Sequence, residues 1–279
     1  MAQRRYLPAD RNCGYSRLAH YRKAQRANHL AGWVRLVSEV KVRSKRKIKR
    51  PWRPSQRLKN ALLYLFMRGG FFVIERLPSH GFFRLVGSLS PYIFRRETRR
   101  AHEHLRTSMP HLDAAETTRR MFVHLSESIW ELARLHRQVV ELDGPSRRVF
   151  DAALAEGKGV IGISGHVGNW ELLGQPIVDA GYPLSITATP HYDPRLTRWL
   201  DQWRAQRGLK IIWSGQNSGK AILSVLRSNQ LMGFLLDQNT RTEGEYVPFF
   251  GRPAFTPTTP AALALRTGAP VIFCWHHRR

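Results

Sequence analysis

His166 and Glu171 stand in "GISGHVGNWELLG", residues 162–174, where an apolar run meets a glycine and then an imidazole, with a carboxylate five positions later. The run up to Ser164 reads as a buried strand. Gly168 frees the turn, Asn169 suits the N-cap of a helix, and Glu171 falls in that helix's first turn. H-x4-E therefore spans a strand-to-helix turn rather than one helix face. A carboxylate so placed can reach the imidazole and fix its tautomer, leaving the other ring nitrogen to take a proton. Ser164, two residues earlier, lacks the nucleophile elbow, because His166 occupies its second glycine position. The nucleophile is then most simply a hydroxyl of the substrate. The structural alternative has His166 capping the helix and Glu171 favouring its dipole; the strand-Gly-His-turn-Asn-Trp-Glu context favours the chemical reading.

A second informative stretch is "GFLLDQNTRTEGEYVPFFGRPAFTPTTPAALALRTGAPVIF", residues 233–273. Asp237 and Gln238 end a buried strand and are expected at the same C-terminal sheet edge as His166; a loop-capping carboxylate is the plainer reading of Asp237. The following loop sets Phe249, Phe250 and Gly251 beside Arg252, apolar surface next to a cation, as a ligand with an acyl tail and a polar head would require. Thr259 as N-cap, Pro260 at the first helical position and Gly268 after Arg266 specify the next helix. Gly157, Gly159 and Gly162 match G-x-G-x-x-G, but they lead into a strand instead of following one, so the dinucleotide reading fails. His102 with His104, and His276 with His277, have no acidic or thiol partner at ligand spacing, and no metal site is expected.

The elements that must position these residues divide the chain. Residues 1–56 carry 16 Lys or Arg against Asp10 and Glu39, a net of +14 out of +25 for the whole chain of 279 residues. With seven basic residues between Lys41 and Arg50, this segment reads as a mobile basic arm, with a short helix near His29–Val40. Residues 57–150 read as helical. "ALLYLFMRGGFFVIERL", Ala61–Leu77, is interrupted by Arg68, Gly69 and Gly70 and falls short of the roughly 20 apolar residues of a transmembrane helix; "GFFRLVGSLSPYIF" mixes aromatics with arginine, as an interfacial helix would, although a buried helix pair fits equally. Met121, Leu125, Ile129, Leu132 and Leu135 recur at three- and four-residue spacing in an ordinary amphipathic scaffold helix. From Asp151 to Arg279, strands alternate with helices: an α/β fold with a central, mostly parallel sheet flanked by helices and chemistry at the strand C-ends. A sheet ending at "VIFCWHHRR" is expected to continue with a further element.

The charge excess draws the chain to anionic lipid, phosphorylated substrate or nucleic acid. Cys13 and Cys274, with no ligand set around them, suit a reducing cytoplasm, and the N-terminus has no apolar segment of the secretory kind.

"GHVGNWE", "LLDQN" and "VPFFGRPAFTPTTPAALALRTGAPVI" together resemble the bacterial lipid A biosynthesis acyltransferases of the lauroyl/myristoyl type, within the lysophospholipid acyltransferase group, from about Leu58 to Phe273. The resemblance implies a glycerolipid acyltransferase-like fold preceded by a membrane-associating helical segment. It implies transfer of an acyl chain from acyl carrier protein or coenzyme A to a glycolipid hydroxyl at the cytoplasmic face of the inner membrane. Both donors are co-substrates, and no cofactor is called for. His166 corresponds to the family's general base and Glu171 to its orienting acid. Arg207 in "RAQRG" matches a recurrent arginine, a candidate for acceptor phosphate or for support of the sheet edge. Asn169, Asp237, Gln238 and Arg252 are the other candidate substrate contacts. Thr189-Pro190 replaces the Arg-Pro pair often found in the family. A lipid A precursor is the favoured acceptor, with phosphatidylinositol mannosides and other hydroxylated lipids as alternatives. Two other classes compete: a basic protein that binds membrane or nucleic acid through residues 1–56, which has few interleaved aromatics, and a hydrolase using Ser164.

Overall fold

The computed structural model describes residues 54–76, 80–134, 140–191, 193–215, 218–238 and 242–278. The expected basic arm and the helix near His29–Val40 lie outside the described residues. Those described fall into two compact units: Leu236–Gly268 forms one, and the rest of the described chain forms the other.

The larger unit begins with four helices, α1 (Pro54–Arg76), α2 (His80–Ile93), α3 (Arg95–Ser108) and α4 (Ala114–Ala133). α1 runs without a break through Gly69 and Gly70, so those residues interrupt the apolar run but not the helix. No helix among the described residues is long and apolar enough to cross a membrane. α2 buries Phe83, Gly87 and Ser90; a Cβ on Gly87 would come within 2.5 Å of the Val123 Cα on α4, so glycine allows the two backbones to approach. Asp113 caps α4, its carboxylate accepting from the backbone N–H of Ala115 and Glu116.

α4 reverses the expected amphipathic pattern. Met121, Leu125 and Ile129 are exposed, whereas Thr118, Ser126, Glu127, Ser128 and Glu131 are buried. Spacing showed the helix but not its inward face, on which Phe122 and Val123 are buried beside those polar groups. The polar face turns inward because partners wait for it: Arg84 and Arg278 reach the Glu127 carboxylate at 3.1 and 3.6 Å.

After α5 (Gly144–Ala155), which begins inside the stretch read as helical and runs five residues past it, come β1 (Val160–Ser164), α6 (Trp170–Asp179), β2 (Leu184–Ala188), α7 (Pro194–Ala205), β3 (Lys210–Trp213), α8 (Ser218–Arg227), β4 (Leu231–Leu235) and, after the smaller unit, β7 (Val271–Phe273). Each lies within a few residues of its expected place. The strands make one parallel sheet in the order β3-β2-β4-β1-β7. β1 lies inside the sheet between β4 and β7, Val160 and Ile161 being fully buried, and Phe150, Val160, Ile177, Leu184, Leu209 and Leu231 form the core between sheet and helices. Because the chain leaves β1 toward β2 and β3 and comes back to β4, the C-ends of β1 and β4 sit side by side at a topological switch point, where α/β sheets bind ligands.

The smaller unit corrects one expectation. Residues 244–257, read as a loop, form an antiparallel hairpin of β5 (Gly244–Phe249) and β6 (Arg252–Pro257), joined through Phe250 and Gly251, both at positive φ. Phenylalanine in place of the usual Asn or Asp before glycine hid the turn, and Pro248 opposite Pro253 argued against a strand. In a two-stranded ribbon each strand has an open edge, and proline is tolerated there. α9 (Thr259–Thr267) follows, its N-cap at Thr258 instead of Thr259, with Gly268 closing it in the left-handed conformation at φ 69°.

Candidate active site

β1 delivers the chain to Gly165 and His166 at its C-terminal end, and Gly168, at φ 62°, turns it into α6. The His166 imidazole is half-buried and meets the Trp170 indole edge to face, ring centres 4.7 Å apart. His166, Asn169 and Glu171 thus share one turn, as their spacing predicts.

Glu171 lies in the first turn of α6. Arg204 of α7 grips its carboxylate with two hydrogen bonds, Nη2 to Oε1 at 2.6 Å and Nε to Oε2 at 3.2 Å. A planar guanidinium matching both oxygens is the strong geometry for such a pair, and it fixes the carboxylate in position as well as charge. The sequence reading missed Arg204 and chose Arg207, three residues on. Arg207 instead donates from Nη1 to the Trp203 carbonyl at 2.7 Å and stacks on the Trp203 ring at 4.0 Å. Burial pushes its guanidinium down from the ordinary value. Arg204 stands in the last turn of α7, whereas Arg207 lies two residues past its end.

Asn169 corrects another expectation. It sits at the N-cap of α6 but makes no side-chain cap bond. Its amide is buried, only 3% exposed, and donates to the Ser128 carbonyl at 3.1 Å and to Glu131 at 2.9 Å. Those donors are committed to α4, which gives Asn169 a structural tie that the substrate-contact reading did not include.

Beside the turn an apolar cavity, partly open to solvent, lies against the sheet. Gly162 and Gly233 face each other in register on β1 and β4, so two adjacent strands carry no side chain at this rung. Leu173, Ile177, Leu184, Ile186 and Leu209 supply apolar wall, Ser164, Glu171 and Arg204 stand among the lining, and Cys274 contributes a thiol that burial pushes up to about 11. Of the turn, Trp170 and Glu171 line the cavity and His166 does not, so its polar end is formed by Ser164, Glu171 and Arg204.

Asp237 and Gln238 follow β4 by two and three residues and are exposed, and Arg252 opens β6 opposite Phe249. All three belong to the smaller unit.

The family profile described as bacterial lipid A biosynthesis acyltransferase matches residues 53–279. A phosphatidylinositol mannoside acyltransferase of Mycobacterium tuberculosis is 30% identical over 134 residues, covering 46% of this chain and 42% of the relative. The protein of the same name from Mycolicibacterium smegmatis is 27% identical over 129 residues, 44% and 42% of the two chains. The matched stretch thus spans less than half the length of these curated relatives. The profile covers the helical part, the sheet and the His166 turn alike, and the chain belongs to the bacterial lipid A biosynthesis acyltransferase family.

Proposed function

We propose that this protein transfers an acyl chain from a thioester, carried by acyl carrier protein or coenzyme A, to a hydroxyl of a glycolipid, with His166 as general base. The observation that carries the reading is the turn after β1, whose Trp170, in ring contact with His166, and Glu171 line an apolar cavity at the strand's C-end. In the proposed step the imidazole removes the acceptor's hydroxyl proton as that oxygen attacks the thioester carbonyl. The tetrahedral oxyanion collapses, the C–S bond breaks, and the imidazolium returns the proton to the departing thiolate. Backbone N–H groups of the turn or a nearby guanidinium are suited to stabilise the oxyanion. Glu171, held by Arg204, is the orienting acid of this scheme.

The relatives' names favour a phosphatidylinositol mannoside as acceptor. The family description supports a lipid A precursor as the second reading. Both are anionic glycolipids, and the +25 net charge suits either. Exposed Phe82, Leu85, Val86, Leu89 and Ile93 on α2 place an apolar stripe opposite its buried face. This supports an interfacial helix on the cytoplasmic leaflet, reached from the water phase.

The test is acyl transfer from acyl carrier protein and from acyl coenzyme A, each to both acceptors, using the wild type, His166→Ala and Ser164→Ala. Product lost on the order of 10²- to 10⁴-fold in His166→Ala and retained in Ser164→Ala is expected. Transfer that survives in His166→Ala removes the general base, and thioester hydrolysis that depends on Ser164 would replace the reading with a hydrolase.

A further inference from the structure

We infer that Glu131 anchors a clamp that holds the catalytic turn, with Asn169 and Arg278 as its two arms. All three are positioning residues, and the inference rests on His166 being the general base.

Glu131, on the last turns of α4, is buried, and donors from two distant parts of the chain converge on its carboxylate. Asn169 Nδ2 reaches Oε2 at 2.9 Å, and Arg278 reaches both oxygens, Nη2 to Oε2 at 3.0 Å and Nε to Oε1. The Arg278 guanidinium also donates to Ser128 Oγ at 2.7 Å and to the His124 carbonyl at 3.2 Å. Beside it the turn touches His276: the Asn169 N–H points to His276 Nδ1 at 3.4 Å, and a Cβ on Gly168 would meet the His276 carbonyl oxygen at 2.1 Å. The turn is therefore held from one side by α4 and from the other by residues 276–278.

Packing alone does not call for this arrangement. A buried carboxylate is costly, and an apolar side chain of similar size would join α4 to the turn as well. Burial works to raise the Glu131 carboxyl, yet the bonds from Arg278 and Asn169 outweigh it and hold the group below its ordinary value. The anion is what draws both donors into place, and Asn169 gives up a cap bond to take part. His166 is three residues before Asn169, and Trp170, whose ring meets the imidazole, is the next residue after it. A displaced Asn169 moves both, and a displacement of about 1 Å at a reacting group costs on the order of 10²-fold in rate.

The test uses the full chain with Glu131→Gln, Asn169→Ala and the double variant. Imidazole signals are recorded by NMR with labelled histidine, His166 being assigned by its absence in His166→Gln; acyl-transfer kinetics are measured in parallel. We expect each single variant to shift the His166 signal and lower kcat between tenfold and a hundredfold, with KM for the thioester within about twofold. The double variant should lose no more than the worse single one, because both act through one carboxylate. Unchanged His166 signals in both single variants, or losses that multiply in the double, would overturn the clamp. The NMR readout needs no substrate: a shifted signal in a chain that transfers no acyl group would sink the acyltransferase reading and leave the clamp standing. Should Glu131→Gln fail to fold, Asn169→Ala and Arg278→Gln carry the same comparison.

Discussion

Glu171 and Arg204 meet through both carboxylate oxygens, at 2.6 and 3.2 Å, with 20% and 12% of their side chains exposed. The pair joins α6 to α7 across 33 residues of sequence, and it fixes the orientation of the Glu171 carboxylate.

Arg204→Gln is expected to lower kcat by about 10²-fold through a misplaced Glu171 and to reduce stability by about 2 kcal/mol, since a mostly buried carboxylate loses its partner. Arg204→Lys keeps the charge but not the fork and should fall between the two. Steady-state kinetics with urea unfolding of the three proteins checks both numbers. Wild-type kcat in Arg204→Gln would show that the pair serves the fold alone.

Gly162 offers a way to change chain length. The atom nearest a Cβ built there is the Gly233 Cα, 3.9 Å away, so a Cβ at this cavity-lining position strikes no backbone. Gly162→Leu should shift donor preference toward shorter acyl chains while the fold persists. Competition among thioesters of graded length reads the shift, and an unaltered preference would place the acyl chain elsewhere.

Acid should loosen the turn. Burial lowers His276 from 6.5, and Arg278 and Asn169 hold Glu131 below 4.5 despite its burial. For both groups the unfolded chain binds protons more readily than the native one, so stability falls as pH drops, first below about 6.5 and then below about 4.5. The melting temperature followed from pH 8 to about pH 2.5 should show both steps. In His276→Ala the first step should shrink by that residue's share, and an identical slope in the variant would mean that other histidines produce it.

The apolar stripe of α2 gives a membrane prediction. Leu85 and Leu89 are 59% and 50% exposed; each contributes roughly 1.5–3 kcal/mol when fully removed from water. Leu85→Glu with Leu89→Glu should weaken cosedimentation with anionic phospholipid vesicles by at least about tenfold without lowering the melting temperature. Equal binding by the double variant would exclude this face from the contact.

The parallel sheet was legible because its strands are short apolar runs separated by helices with their own stop signals, such as Gly208 and Gly268. The strand-to-helix turn was legible because His166, Gly168, Asn169 and Glu171 fall within six consecutive residues. Arg204, Glu131 and Arg278 were not, because what distinguishes them is a partner 33, 38 or 147 residues away, and spacing carries no such information. α4 shows the same limit on a larger scale: its period was visible, but the direction of its polar face depended on Arg84 and Arg278. The hairpin at 244–257 was hidden by Phe250 at φ 48°, a conformation that side chain rarely takes.

The contact between Gly168 and His276 also sets an order of events in time. The turn is translated more than a hundred residues before the histidine whose ring accepts its Asn169 N–H. While the chain is still on the ribosome, strand, glycine and imidazole can all have emerged and still lack the wall they fold against. The turn gains this wall only once residues 276–278 have emerged.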